Sequence, residues 1–236
     1  MCEGRSLGRG SPGSFEHVPA ALLPSDPLMY WRLTAEEDSL ITQLTAAYKD
    51  TAAHNTFVSL SSCLSGHIDH DHLILLQQIA SDMVRFFKRV PDFTRLKLHD
   101  QAAAFKAKAM RVLLIRNAFS FTDDVDEVNS VSIATPPHVT RHENLVQRLV
   151  QFYRTLKIIL RDDVSLAVLL QCGVTFGPLA PEIYDRQTTS QLQEKYMIIM
   201  KHYMESKYSY LFAWQYCEGL MDKVEETREL AAEVMD

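Results

Sequence analysis

Between Asp71 and Val90 the apolar residues Leu76, Ile79, Ala80, Met83 and Phe87 recur at offsets i, i+3, i+4, i+7 and i+11, uninterrupted by glycine or proline. That spacing puts them on one side of a helix. At 1.5 Å per residue such a helix is roughly 30 Å long, the width of a domain. Pro91 ends it, because the residue before a proline is pushed away from helical backbone angles. A second segment, from Asp100 to about Ala118, is apolar on nearly every side apart from Lys106, Lys108, Arg111 and Arg116. A helix of that kind needs cover on several faces and belongs in the middle of a protein.

The rest of the chain repeats the helical pattern. Thr34 and Glu37 form a capping-box pair ahead of Leu40, Ile41, Leu44 and Ala47. Leu145, Leu149, Phe152, Leu156 and Ile159 mark another helix, and a very apolar one spans Asp163 to Phe176 until Gly177-Pro178 stops it. Leu192, Tyr196, Ile199 and Tyr203 mark the next, and a last one runs from about Tyr208 through Leu211, Trp214, Leu220 and Val224. Asp50 to Gly66 has mixed polarity and reads as a connection with at most a short helix. Asp123 to His142 holds acidic runs, two prolines and the β-prone Val131-Ser132-Ile133, which suits a hairpin or an irregular loop. Residues 1–30 are rich in Gly, Ser and Pro and read as a disordered leader or hinge remnant, leaving 31–236 as one domain. The expected class is all-α, with at most one small strand pair.

Composition removes several functions. A net charge of −6 argues against this chain gripping nucleic acid by itself. Cys2, Cys63, Cys172 and Cys217 are scattered without CxxC spacing, so no zinc module is encoded, and unclustered thiols suit a reducing compartment. No apolar run reaches the roughly 18–20 residues of a membrane span. No GxSxG elbow or Gly-rich phosphate loop is present. The best metal-like cluster is His67, Asp69, His70, Asp71 and His72. Imidazole and carboxylate together suit zinc, iron or manganese, as in HD-type metal-dependent phosphohydrolases, with His54, Asp100 or Asp124 as further ligands. The same residues also suit the start of the long helix, where carboxylates favour the dipole.

The segment Phe86–Gln101, FFKRVPDFTRLKLHDQ, carries more information. It resembles the region joining helices 3 and 4 of nuclear-receptor ligand-binding domains, with Phe86-Phe87-Lys88, Phe93, Leu96 and Asp100-Gln101 in that family's order. The following AFKAKAMRVLLIRNAFSFTDD is similar to the vitamin D and pregnane X receptor branch, where an Arg precedes Ser-Phe-Thr and acidic residues; here these are Arg116, Ser120-Phe121-Thr122 and Asp123-Asp124. LTAEEDSLITQLTAAYKDT, FYRTLKIILRDDVSLAVLLQC and DRQTTSQLQEKYMIIMKHYM resemble other helices of that branch in the right order. The resemblance covers roughly residues 33–225.

It implies a three-layer antiparallel helical sandwich that acts in the nucleus and catalyses nothing. It implies a small lipophilic ligand, such as a sterol or xenobiotic, held by Ile79, Met83, Met110, Leu113, Arg116 and Ser120. For Arg116 a ligand oxygen is one partner, and a structural carbonyl or Asp is the other. Coactivator or corepressor helices of LxxLL type would dock on Lys88, Val84, Phe93, Gln101 and Lys106, the two lysines clamping the peptide's C-terminal carbonyls. A retinoid X receptor-like partner or a second copy would pair along Leu211, Trp214, Leu220 and Val224. No cofactor, metal or membrane is implied. Leu230 to Met235 offers only a superficial match to the family's activation helix, and the chain is expected to stop within helix 10/11. Phe86, Phe87, Phe105 and Phe119 leave open a module with a filled pocket that only dimerises or binds corepressor.

Overall fold

A computed structural model describes residues 32–52, 57–60, 69–122, 141–177, 182–208 and 210–236, with backbone alone at 141, 142, 210 and 211. The described residues form eight helices: α1 Ala35–Thr51, α2 His70–Phe87, α3 Pro91–Arg95, α4 Leu98–Ser120, α5 Arg141–Leu160, α6 Val164–Thr175, α7 Arg186–Lys207 and α8 Tyr210–Met235. No strand occurs among them. Residues 1–30, Val131–Ile133 and most of the 50–66 connection lie outside the described residues.

The helices stack in three layers. α4, α6 and α7 form the middle, α1 and α2 lie on one side, and α5 and α8 on the other. α4 earns its central position by composition: Val112, Leu113, Leu114, Ile115 and Ala118 are all buried, and its neighbours cover it on both sides. α6 is buried from Leu166 to Thr175, as its lack of charged residues requires. Gly173 lets α6 and α7 approach closely, since a Cβ there would sit 2.7 Å from Met197 Sδ.

Local chemistry sets the helix ends. Thr34 accepts from the Glu37 backbone N–H while the Glu37 carboxylate accepts from Thr34, a complete capping box. Asp163 caps α6 and also receives Tyr203 Oη and Lys207 Nζ, which ties the layer together. Between α5 and α6 the chain reverses through two consecutive residues of positive φ, Arg161 and Asp162, with the Arg161 guanidinium over the rings of Tyr208 and Tyr216.

Three expectations need adjustment. α2 stops at Phe87, not Val90: Lys88 and Arg89 form a turn, and the proline's restriction falls on Val90, which is extended and opens the short helix α3 with Pro91 inside it. α4 begins at Leu98, two residues before Asp100, without any side-chain cap to announce it. In the apolar stripe of α2, Ala80 is exposed, while Asp82 is buried because it has an internal cation to meet.

Candidate functional site

The six side chains expected around a ligand divide between α2 and α4. Ile79, Met83 and Leu113 are buried, and Met110 and Ser120 are half-buried. Arg116 is only 2% exposed, and its Nη2 lies 3.9 Å from Oδ2 of Asp82, itself 1% exposed. Asp82 also pairs with Arg85, whose side chain reaches in from the surface. Burial works against the charge of Arg116 and lowers its pKa, while Tyr48 of α1 and Asp82 work the other way. Burial raises the pKa of the Tyr48 hydroxyl, which lies close enough to Arg116, Asp82 and the Gln171 side chain on α6 to feel all three. The Gln171 amide nitrogen is buried with no hydrogen-bond partner among the described residues. One polar set thus reaches from α1 through α2 and α4 to α6 inside an otherwise apolar core. Of the partners weighed for Arg116, an aspartate is present. Tyr48, Asp82 and Gln171 were not legible as site residues, because each falls in a helical pattern where a polar residue reads as solvated.

The surface set occupies the junction of α2, α3 and α4. Lys88 caps the C-terminus of α2 and Lys106 projects from α4, both exposed. Val84 and Gln101 are half-buried, and the Gln101 amide donates to the carbonyls of Leu96 at 2.8 Å and Thr94 at 3.4 Å, closing the end of α3. Phe93 is buried; its ring packs on Phe87 and Phe176, so it supports this surface from beneath. Phe87 also meets Phe105 at 5.9 Å, joining α2 to α4. Leu98 stands 80% exposed at the first position of α4. Next to it, buried Asp100 accepts the backbone N–H groups of Tyr184 at 2.9 Å and Asp185 at 3.4 Å. The Tyr184 bond is the main reason its carboxyl pKa is lowered.

The α8 set is less uniform. Trp214 is exposed, Val224 half-buried and Leu220 wholly buried in the chain's own core, while the Leu211 side chain lies outside the described ones. Leu220 therefore serves packing, and Trp214 is the large apolar surface that α8 offers at these positions. α8 continues as one helix to Met235, and the Glu233 carboxylate is taken by Arg148 of α5 at 2.6 and 2.7 Å. Glu233 is committed to that pair.

Among the described residues no group of three potential metal ligands converges. His67 lies outside them, and Asp69 caps α2 by accepting the backbone N–H of His72. No described helix is long and apolar enough to cross a membrane.

No family model matches the chain. Over 183 residues, 75% of this chain, it is 23% identical to the rat (Rattus norvegicus) protein nuclear receptor subfamily 1 group I member 3. The chain spans about half the length of that curated relative. The all-α fold is consistent with a nuclear-receptor ligand-binding domain, and the similarity extends across most of the chain without fixing a branch within that family.

Proposed function

We propose that this chain is the ligand-sensing part of a ligand-regulated transcription factor of the nuclear-receptor type. One observation carries the reading beyond the sequence similarity. Arg116 is a cation sealed in the interior, on the two helices that also bury Ile79, Met83 and Leu113. A buried charge is expensive and does little for stability that an apolar residue would not do. A lipophilic molecule with one polar end would give it a use: apolar cover from the helices, and a hydrogen bond from Arg116 or the Gln171 amide. The Asp82 carboxylate supplies the guanidinium a counter-charge when no such molecule is bound.

Binding there would act by population shift, favouring one arrangement of α2 against α4 and so altering the Lys88–Lys106 surface. A coactivator or corepressor helix would read that surface, in the nucleus and alongside a second receptor-type chain. The test is native mass spectrometry of the purified chain, followed by denaturing extraction of whatever it retains. A co-purifying lipid or sterol, or a thermal shift with one member of a sterol and xenobiotic panel, is the expected result. A clean mass with no shift across the panel would overturn the sensor reading.

A further inference from the structure

The segment from Arg85 to Lys106 runs from the end of α2 through α3 into α4, and its charges are sorted by depth. Arg85, Lys88, Arg89, Arg95, Lys97 and Lys106 are all exposed. The carboxylates within the segment, Asp92 and Asp100, are both buried, as is Asp82 just before it. Each buried carboxylate is already engaged. Asp82 is shared between Arg85 and Arg116. Asp92 is shared between Arg95 at 3.3 Å and Lys195 at 2.7 Å, and also receives Tyr196 Oη. Asp100 is taken up by two backbone N–H groups.

Asp50 meets Arg89 at 3.2 Å, and Asp185 feels Lys97 but spends both oxygens capping α7 at Thr188. The side chains of Lys88 and Lys106 make no hydrogen bond or ion pair among the described residues. In a chain of net charge −6, the cations of this segment are exposed while its carboxylates lie inside. The exposed Leu98 and half-buried Val84 and Phe105 add apolar surface along the same stretch of chain. The carboxylate that could have answered the lysines from the chain's end, Glu233, is held by Arg148.

From this sorting of charge we infer that the α2–α4 surface selects an amphipathic partner helix carrying acidic residues around its apolar anchors. The inference rests on the reading of this surface as the coregulator site and names the chemistry of its partner. Complementary charge would set the encounter rate and the choice among helices with the same anchors, while the apolar surface holds whichever arrives.

The experiment uses fluorescence anisotropy with the full chain and two labelled helical peptides of identical LxxLL anchors, one with acidic and one with basic flanks. Several rim charges make the acidic peptide tighter by about tenfold at low salt, and that preference shrinks several-fold between roughly 0.05 and 0.3 M salt as the Debye length contracts. Lys97→Glu and Lys106→Glu remove or invert the preference, and Lys97→Gln and Lys106→Gln reduce it should the reversals fail to fold. Equal affinity for both peptides would overturn the charge selection while leaving the site. Binding of neither would overturn the site as well. Displacement of the acidic peptide by duplex DNA at equal charge concentration would reassign the face to nucleic acid and overturn the proposal.

Discussion

α2 and α4 each carry charge at two depths, and the two depths obey different rules. Inside, Asp82 and Arg116 face each other across the helices in a setting almost without water. Outside, Lys88 on α2 and Lys106 on α4 stand in solvent with no carboxylate partner among the described residues. The inner pair gives each ion a counter-charge because low dielectric makes a lone ion intolerable. The outer cations need none, since water solvates them for almost nothing. Charge inside is therefore a constraint on the fold, and charge outside is available to a partner.

The comparison breaks first at Arg116. Asp82→Leu leaves the buried Arg116 without the Asp82 carboxylate, and by the usual cost of breaking a buried ion pair it should lose about 3–5 kcal/mol in urea denaturation. Replacing both residues, Asp82→Leu with Arg116→Met, should recover most of that loss. A single-variant loss under about 1 kcal/mol would mean that water reaches the pair and that the inner depth is not dry.

Asp100 sharpens the comparison, since it lies inside but pairs with backbone in place of a cation. Asp100→Ala should cost about 1.5–3 kcal/mol, the worth of charge-assisted bonds to Tyr184 and Asp185. Its folded pKa lies below the ordinary 3.8, so the stabilisation is present above that pH and is lost as pH falls through the lowered value. Wild-type and Asp100→Ala stabilities should therefore draw together as pH falls from 3.8 through that lowered value. Parallel pH profiles would show that the carboxylate charge is not what holds the 182–185 loop.

A milder test lies at the edge of the layers. Burial alone would raise the Glu37 pKa, but the His202 hydrogen bond at 2.6 Å, together with Thr34, outweighs it and holds the group below 4.5. Thr34→Ala removes the cap and should cost about 1 kcal/mol by thermal denaturation. The Glu37 contribution stands above pH 4.5 and fades as acid protonates the group in the folded state. A Thr34→Ala cost near zero would mean that the His202 contact, not the capping box, fixes the start of α1.

Much of this was legible before the structure, and the reasons are particular. Thr34 and Glu37, Pro91, and Gly177 act through bonds to their own neighbours, so their effects on helix ends can be read locally. The central position of α4 followed from apolar residues on nearly all its sides. The start of α4 escaped, because Lys97 makes no capping bond. The partner of Arg116 escaped for another reason. Asp82 sits one position from Met83 and reads as a solvated helix residue until the fold brings α4 across it, a contact 34 positions away in sequence. Glu233 likewise matched a motif by spacing, while Arg148, 85 positions earlier, decides what it does.

The smallest expected change in stability belongs to the outer lysines, and there the comparison has its functional edge. Lys88→Ala and Lys106→Ala should each shift stability by no more than about 0.5 kcal/mol, as for surface substitutions without partners. Each should nonetheless weaken an LxxLL-type peptide, because a cation at the end of a docked helix meets that helix's partial negative charge. A residue that holds the fold shows its loss in denaturation, whereas one that holds a partner shows it in binding. Unchanged peptide affinity in Lys88→Ala would remove that residue from the docking surface. A stability loss near that of Asp82→Leu would mean that the outer lysines belong to the fold after all, and the division between the two depths would fail.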